Sequence, residues 1–305
     1  MAADVIPNQI VVVGCCRDVE KTFEGIYQTI NQLQEFGYSL YFVICENGSE
    51  DSTKALLQGF DRSSSMFTWL ELEPLNEIVE RTVRLEHSRN IYLEYIRNHP
   101  VLSLSEFMLV VDWDDVNQSF FDINGILEAF DFLNSNSSHA AVCANQQPKY
   151  YDLWALRSSS FCQGDMFLDL AQRVFWAQTL DESVIESSLF GKMRDFSLPA
   201  SSTYIEVESA FGGLGIYKMS SVLESASRYL GSEIVSFKNS NGQSFFAVAQ
   251  VCEHVRFHGD IRRNGGRIFV KTDLINMPKC GIEASPYTVM WLYRWLNGNL
   301  VFNPN

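Results

Sequence analysis

Short apolar runs separated by helical patterns constrain this fold more than any other feature of the chain. The runs are Ile10-Val11-Val12-Val13, Leu40-Tyr41-Phe42-Val43-Ile44-Cys45 and Phe107-Met108-Leu109-Val110-Val111. A continuous run implies a strand covered on both faces, the habit of parallel strands packed under helices. After the first run, Phe23, Ile26, Tyr27, Ile30, Leu33 and Phe36 fall at helical spacing across Val19 to Phe36, and Gly37 stops the pattern. Ser49 or Ser52 can cap a helix through Ala55, Leu56, Leu57 and Phe60. Met66 to Leu70 reads as a third strand and Val83 to Ile96 as a further helix. Strands alternating with helices predict βαβ units, hence an α/β fold with a mainly parallel central sheet flanked by helices.

Beyond about Phe121 the pattern is mixed. Ile126 to Leu133 reads as a helix and Ala140 to Ala144 as a strand, with Tyr151 to Leu156 and Phe245 to Val255 as further strand candidates. Asp181 to Ser202 is polar and serine-rich, the composition of a surface loop. Ala210 to Tyr217 is a glycine-punctuated strand or turn. Pro286 to Phe302 gathers Tyr287, Trp291, Tyr293 and Trp295 into a terminal helix or strap, packed on the core or facing a lipid-linked acceptor.

The 305 residues are 46% hydrophobic and 20% charged, an ordinary globular composition long enough for a sizeable core. A net charge of -14 argues against nucleic acid and anionic membrane as partners, since both attract basic surfaces. Seven cysteines, an odd number without a CxxC pair, suit reduced and mostly buried thiols and give no zinc spacing. The N-terminus has no basic region and no apolar stretch approaches a membrane span. The expectation is a cytoplasmic protein with no integral span.

The strand ends carry the chemistry. Phe107 to Val111 runs into Asp112-Trp113-Asp114-Asp115, which sets Asp112 and Asp114 at the carboxyl edge of a sheet, where ligands of open α/β folds bind. Two carboxylates at this spacing can hold a hard divalent cation that a diphosphate completes; the plain alternative is a solvated acidic turn. The second strand exits into Glu46-Asn47-Gly48-Ser49-Glu50-Asp51-Ser52-Thr53, a tight ligand-facing turn that is also a good helix start. The first strand exits into Arg17-Asp18. GxGxxG and GxxxxGK[ST] are both missing, so neither a dinucleotide fold nor a P-loop is indicated.

Taken in order, Arg17-Asp18, the Glu46 to Thr53 turn, Arg84-Leu85-x-x-Ser88-Arg89-Asn90 and the Asp-x-Asp-Asp strand end resemble the nucleotide-sugar half of GT-A fold glycosyltransferases. The likeness is to the branch holding fungal capsule-type mannosyltransferases and related bacterial and viral enzymes. It covers Ile10 to about Asn145 and thereafter isolated pieces. The resemblance implies one Rossmann-like GT-A domain. Residues 1–145 would form the donor half and 146–305 an acceptor-binding, metal-completing half. It places Arg17, Asp18, Glu46, Asn47, Arg84, Asn90 and Asp112 around the donor, with Glu46 on the base or ribose. Asp112 and Asp114 would hold Mn²⁺ or Mg²⁺, with a third ligand from Cys252 to His258. There His254, His258 and Glu253 are the candidates; His254 and His258 share one side of a strand, and His258 at the strand end is preferred.

For the acceptor, Glu208 before Ser209-Ala210-Phe211-Gly212-Gly213 is the candidate base, with Asp165 as second choice and an exposed charge as the plain reading. Asp152 and Arg157 are candidates for the donor-sugar pocket. Arg256, Arg262, Arg263, Arg267 and Lys271, with Gly259, Gly265 and Gly266 as hinges, form either a diphosphate lid or a solvated loop. The function implied is transfer of a sugar from a UDP- or GDP-sugar to a glycan or other hydroxyl. A nucleotidyltransferase fits less well, because Gly14-Cys15-Cys16-Arg17-Asp18 is not a glycine-rich basic loop. A non-catalytic carbohydrate-binding module is opposed by Glu46, Asp112 and Asp114.

Overall fold

The computed structural model describes residues 5–72, 75–117, 122–177 and 196–276. One eight-stranded sheet organises them, in the order β3-β2-β1-β4-β7-β5-β10-β6. Its strands are β1 (Ile6–Cys16), β2 (Ser39–Glu46), β3 (Phe67–Glu71), β4 (Ser105–Val111), β5 (His139–Asn145), β6 (Tyr204–Val207), β7 (Leu214–Lys218) and β10 (Arg267–Ile275). A separate hairpin pairs β8 (Ser232–Lys238) with β9 (Ser244–Gln250). The helices are α1 (Phe23–Asn31), α2 (Thr53–Ser63), α3 (Arg81–Asn98), α4 (Ile123–Asn134), α5 (Met166–Ala177), α6 (Met219–Glu224) and α7 (Glu253–Arg263). The expected α/β architecture with its mainly parallel sheet is what the chain forms; β6 and β7 run antiparallel to their neighbours.

The apolar runs are continuous because alternate residues feed opposite cores. Val11, Val13, Val43, Cys45, Met108 and Val110 join one cluster with Tyr92 and Leu93 of α3. Ile10, Val12, Phe42, Ile44, Leu109 and Val111 join the other with Phe23 and Ile26 of α1 and Ile126 of α4. The sheet runs on past residue 145, since β7 inserts between β4 and β5.

Three local expectations are corrected. The helix through Phe36 ends as a 3-10 turn at Gln32–Phe36, closed by Gly37 at φ 88°. Tyr151 to Leu156 makes turns rather than a strand, and the neighbouring Arg157 pairs with Ser209 through one isolated bridge. Phe245 to Val255 is strand only as far as Gln250, after which α7 begins. There His254, Phe257, His258 and Ile261 are buried at helical spacing, so His254 and His258 share a helix face. Most of Asp181 to Ser202 and all of Pro286 to Phe302 lie outside the described residues.

Gly14 ties β1 to the strand end of β4. A Cβ there would lie 2.2 Å from Trp113 Nε1 and 2.3 Å from the Val111 carbonyl oxygen. Gly14→Ala is therefore expected to cost about 1–3 kcal/mol by overpacking. Gly25→Ala, on the exposed side of α1 with nothing within 4 Å, should be neutral or stabilising. Thermal unfolding of the two variants checks the contrast.

Candidate functional site

Asp112 follows β4 at the carboxyl edge, and its backbone is held from both sides. Its N–H donates to the Gly213 carbonyl at 2.9 Å, and Asn117 Nδ2 donates to the Asp112 carbonyl at 2.7 Å. Asn117 is held in turn by Asn276 Nδ2 at 2.7 Å. The next residue, Trp113, is buried against Phe23 with ring centroids 4.4 Å apart, and its carbonyl accepts from Thr22 Oγ1 at 2.6 Å. Anchored in this way, the turn presents Asp112 and Asp114 to a cleft of about 260 Å³. Arg17, Asn47, Arg81, Arg84, Leu85 and Ser88 line it too, with Cys15, Cys16, Val19 and Trp113.

Arg89 orders the carboxylate of Asp112. Arg89 is 2% exposed, its Nη2 is 3.2 Å from Asp112 Oδ1 and its Nε donates to Glu253 Oε1 at 3.1 Å. Phe211 and Tyr229 face the guanidinium at 5.1 and 5.6 Å. Burial raises the proton affinity of Asp112 even so, with Arg89 opposing. Asp114, at the exposed mouth, is pushed up to about 6, first by the protein atoms crowding its carboxyl and then by repulsion from Asp112.

Two neighbouring carboxylates that resist ionising together suit a bound cation. Among the described residues no cluster of three or more His, Cys, Asp or Glu is placed to hold a metal ion. Oxygen donors from two aspartates fit a hard cation that takes its remaining ligands from phosphate and water, and do not make an all-protein cage.

Arg17, Asn47, Arg84, Asp112 and Asp114 therefore share one cleft. The other expected residues are employed differently. Glu46 is buried beneath its turn, its Oε1 accepting from the Ser49 N–H and its Oε2 lying 3.7 Å from Lys54 Nζ. Asp18, at φ 53°, accepts the Glu50 N–H at 2.7 Å and so laces the first loop to the second. Asn90 clips α3 to Tyr229, donating to its carbonyl and accepting from its N–H, both at 3.0 Å.

His258 is fully buried in α7, not at a strand end. Its Nδ1 meets Ser209 Oγ and its Nε2 meets Tyr217 OH, both at 2.9 Å, so neither nitrogen is left for a metal. Burial, then Arg262, push it down to about 3, so the ring is neutral. His254 is buried against Phe211, with ring centroids 3.9 Å apart.

Glu208 is misplaced for a base at this cleft. It follows β6, whose Val207 lies opposite Ile268 near the start of β10, at the amino end of the parallel strands. There it lies 3.6 Å from Arg262 in a second cleft of about 410 Å³, which also holds Asp165 paired with Arg157 at 2.6 Å. The expected basic lid is likewise dispersed. Arg256, Arg262 and Arg263 belong to α7, and Arg267 and Lys271 to β10, where Lys271 is buried against Glu128 and Asp273.

Arg81 and Arg89 complete the site without a motif of their own, and Glu253, a candidate metal ligand by sequence, is instead the buried partner of Arg89. Arg89 lay inside the Arg84 to Asn90 stretch, next to the asparagine taken for the ligand contact. The pairing of Glu253 with Arg89 has no local signal, since the two meet across 164 residues.

A family model described as Cryptococcal mannosyltransferase 1 matches residues 15–260. The chain belongs to that family. The match spans the cleft residues from Arg17 to Asp114 and ends within α7. Among solved structures, S. aureus TarS 1-349 aligns over 94% of this chain and 64% of its own, at 14% identity and a TM-score of 0.46. The mannosyltransferase PcManGT from Pyrobaculum calidifontis, in complex with GDP-Man and Mn2+, aligns over 90% of this chain and 59% of its own, at 13% identity and a TM-score of 0.46. The chain thus spans less than two thirds of either. No curated protein sequence matches it. Among the described residues no helix is long and apolar enough to cross a membrane.

Two variants test these electrostatics. Arg89→Met strands Glu253 as a buried, unpaired carboxylate and is expected to cost about 3–5 kcal/mol. Arg89→Met with Glu253→Gln should recover part of that loss in chemical denaturation. Asp152 accepts the Gly212 N–H at 2.9 Å and is pushed from 3.8 up to about 7, chiefly by burial. Its folded form holds the proton more tightly than its unfolded form. The stability it adds is therefore full below about pH 4, falls as pH rises and is gone above about pH 7. The gap in stability between the protein and Asp152→Asn should narrow or reverse over that window; a gap independent of pH would refute the assignment.

Proposed function

We propose that this chain transfers a sugar from a nucleotide-diphosphate sugar to a hydroxyl acceptor in the cleft of Asp112 and Asp114, with Mn²⁺ or Mg²⁺ held by those two carboxylates. The observation that carries the reading is one cleft at the carboxyl edge of a parallel sheet, with two charge-frustrated aspartates facing a group of arginines. The cation would supply Lewis-acid neutralisation of the departing diphosphate. Everything else falls to side chains of the chain itself. Arg89, locked by Glu253, keeps one oxygen of Asp112 engaged and so fixes its orientation. Asn47, held by the Leu75 N–H at 3.0 Å, belongs to the donor side.

For the acceptor proton, Asp152 replaces Glu208 as the carboxyl to consider. It lies close enough to Asp112 for their charges to interact, and a proton affinity near neutrality suits a general base. Family membership makes GDP-mannose the first donor to try, beside UDP-sugars.

Nucleotide release from a panel of GDP- and UDP-sugars, with and without Mn²⁺, is the test. Metal-dependent release is expected, reduced about 10²–10³-fold in Asp112→Ala or Asp114→Ala, the scale for losing charge stabilisation in a transition state. Unchanged turnover with its metal dependence intact in both variants would remove the two aspartates from the mechanism.

A further inference from the structure

Three arginines line the donor cleft beside its two carboxylates, and one of them, Arg17, also lies 3.5 Å from Asp18. The chain carries a net charge of -14, yet Arg17, Arg81 and Arg84 all line this one cleft. Arg81 and Arg84 stand one turn apart at the start of α3, so both emerge on the same side of an 18-residue helix, at its positive end. Among the described residues neither has a carboxylate within ion-pair distance, although Asp112 and Asp114 are close enough to feel the charge of Arg81. Arg84 is oriented by donating Nη1 to the carbonyls of Ile78 at 2.5 Å and Val79 at 3.0 Å. Burial, then Arg17 and Arg81, weaken its hold on its proton, and Glu80 opposes them only in part.

We propose that Arg81, with Arg84 and Arg17, forms a guanidinium wall that binds the donor's diphosphate directly, so that the site recognises a diphosphate even with no metal present. Guanidinium groups fork onto phosphate oxygens, and a cluster of them favours a ligand with two phosphates over a ligand with one. The aspartates line the same cleft, so a diphosphate there would meet both a cation site and these guanidinium groups. Arg81 is the decisive member. Its charge acts on Asp112, Asp114 and Arg84, and no hydrogen bond or ion pair ties it down among the described residues.

The inference rests on the donor reading above, and the experiment separates the two. Binding of GDP, UDP, GMP, UMP and inorganic pyrophosphate is measured by calorimetry in EDTA and again with Mn²⁺, for the protein and for Arg81→Met, Arg81→Lys and Arg84→Met. Thermal unfolding is recorded alongside as a check on folding. Diphosphates and pyrophosphate should bind in EDTA, at least tenfold more weakly to Arg81→Met and within a few-fold of the parent to Arg81→Lys, while the monophosphates are little changed. Diphosphates that bind only with Mn²⁺, an Arg81→Met variant that binds them as the parent does, or an equal loss for monophosphates would overturn the wall and leave the donor reading standing. Failure of every nucleotide to bind in either condition would overturn both.

Discussion

A buried guanidinium is the constraint on which the rest of the site depends. Arg89 is out of water, and such a charge is tolerable only where carboxylates and hydrogen bonds replace its hydration. Asp112 comes from the end of β4 and Glu253 from the first turn of α7, so one side chain joins helix α3 to both halves of the chain. The aromatic faces of Phe211 and Tyr229 close around it. Such a pair contributes little net stability against an apolar replacement, yet it fixes which atoms of Asp112 face the cleft.

From that centre the charges divide by location. Asp112 and Asp114 line one cleft and hold their protons more tightly than free carboxylates, because burial opposes the ionisation of both and repulsion from Asp112 adds to it at Asp114. Arg17, Arg81 and Arg84 gather in the same cleft. The buried α7 histidines belong to a different structure, a packed and neutral interior in which His258 joins Ser209 to Tyr217. Burial decides the difference: His258 has both nitrogens engaged inside the protein, and His254 is stacked on Phe211 in the same interior.

Much of this was legible in residue order. Continuous β-branched runs require a sheet covered on both faces, and the strand that ends at Val111 can put Asp112 and Asp114 only at its carboxyl edge. Arg17 and Asn47 follow from the same strand-end logic and Arg84 from the family resemblance, and all three line the cleft. Other acidic and amide residues have structural partners that local pattern does not reveal, because it does not say which way a polar side chain turns. Glu46, Asp18 and Asn90 each satisfy nearby backbone groups, which a turn or helix junction demands as urgently as a ligand would. Glu208 lies apart from the cleft for a topological reason. β6 runs against β10, so the residue after it emerges at the far end of the sheet.

What the sequence determined by itself is the alternating α/β plan and the acidic strand end, because both follow from periodicity and from the direction of a parallel strand. The tertiary structure decided which charges meet. Arg89 finds Glu253 across 164 residues, and α7 turns its two histidines inward instead of toward the cleft. Pairings of that kind depend on how separate elements dock, and no local pattern records them.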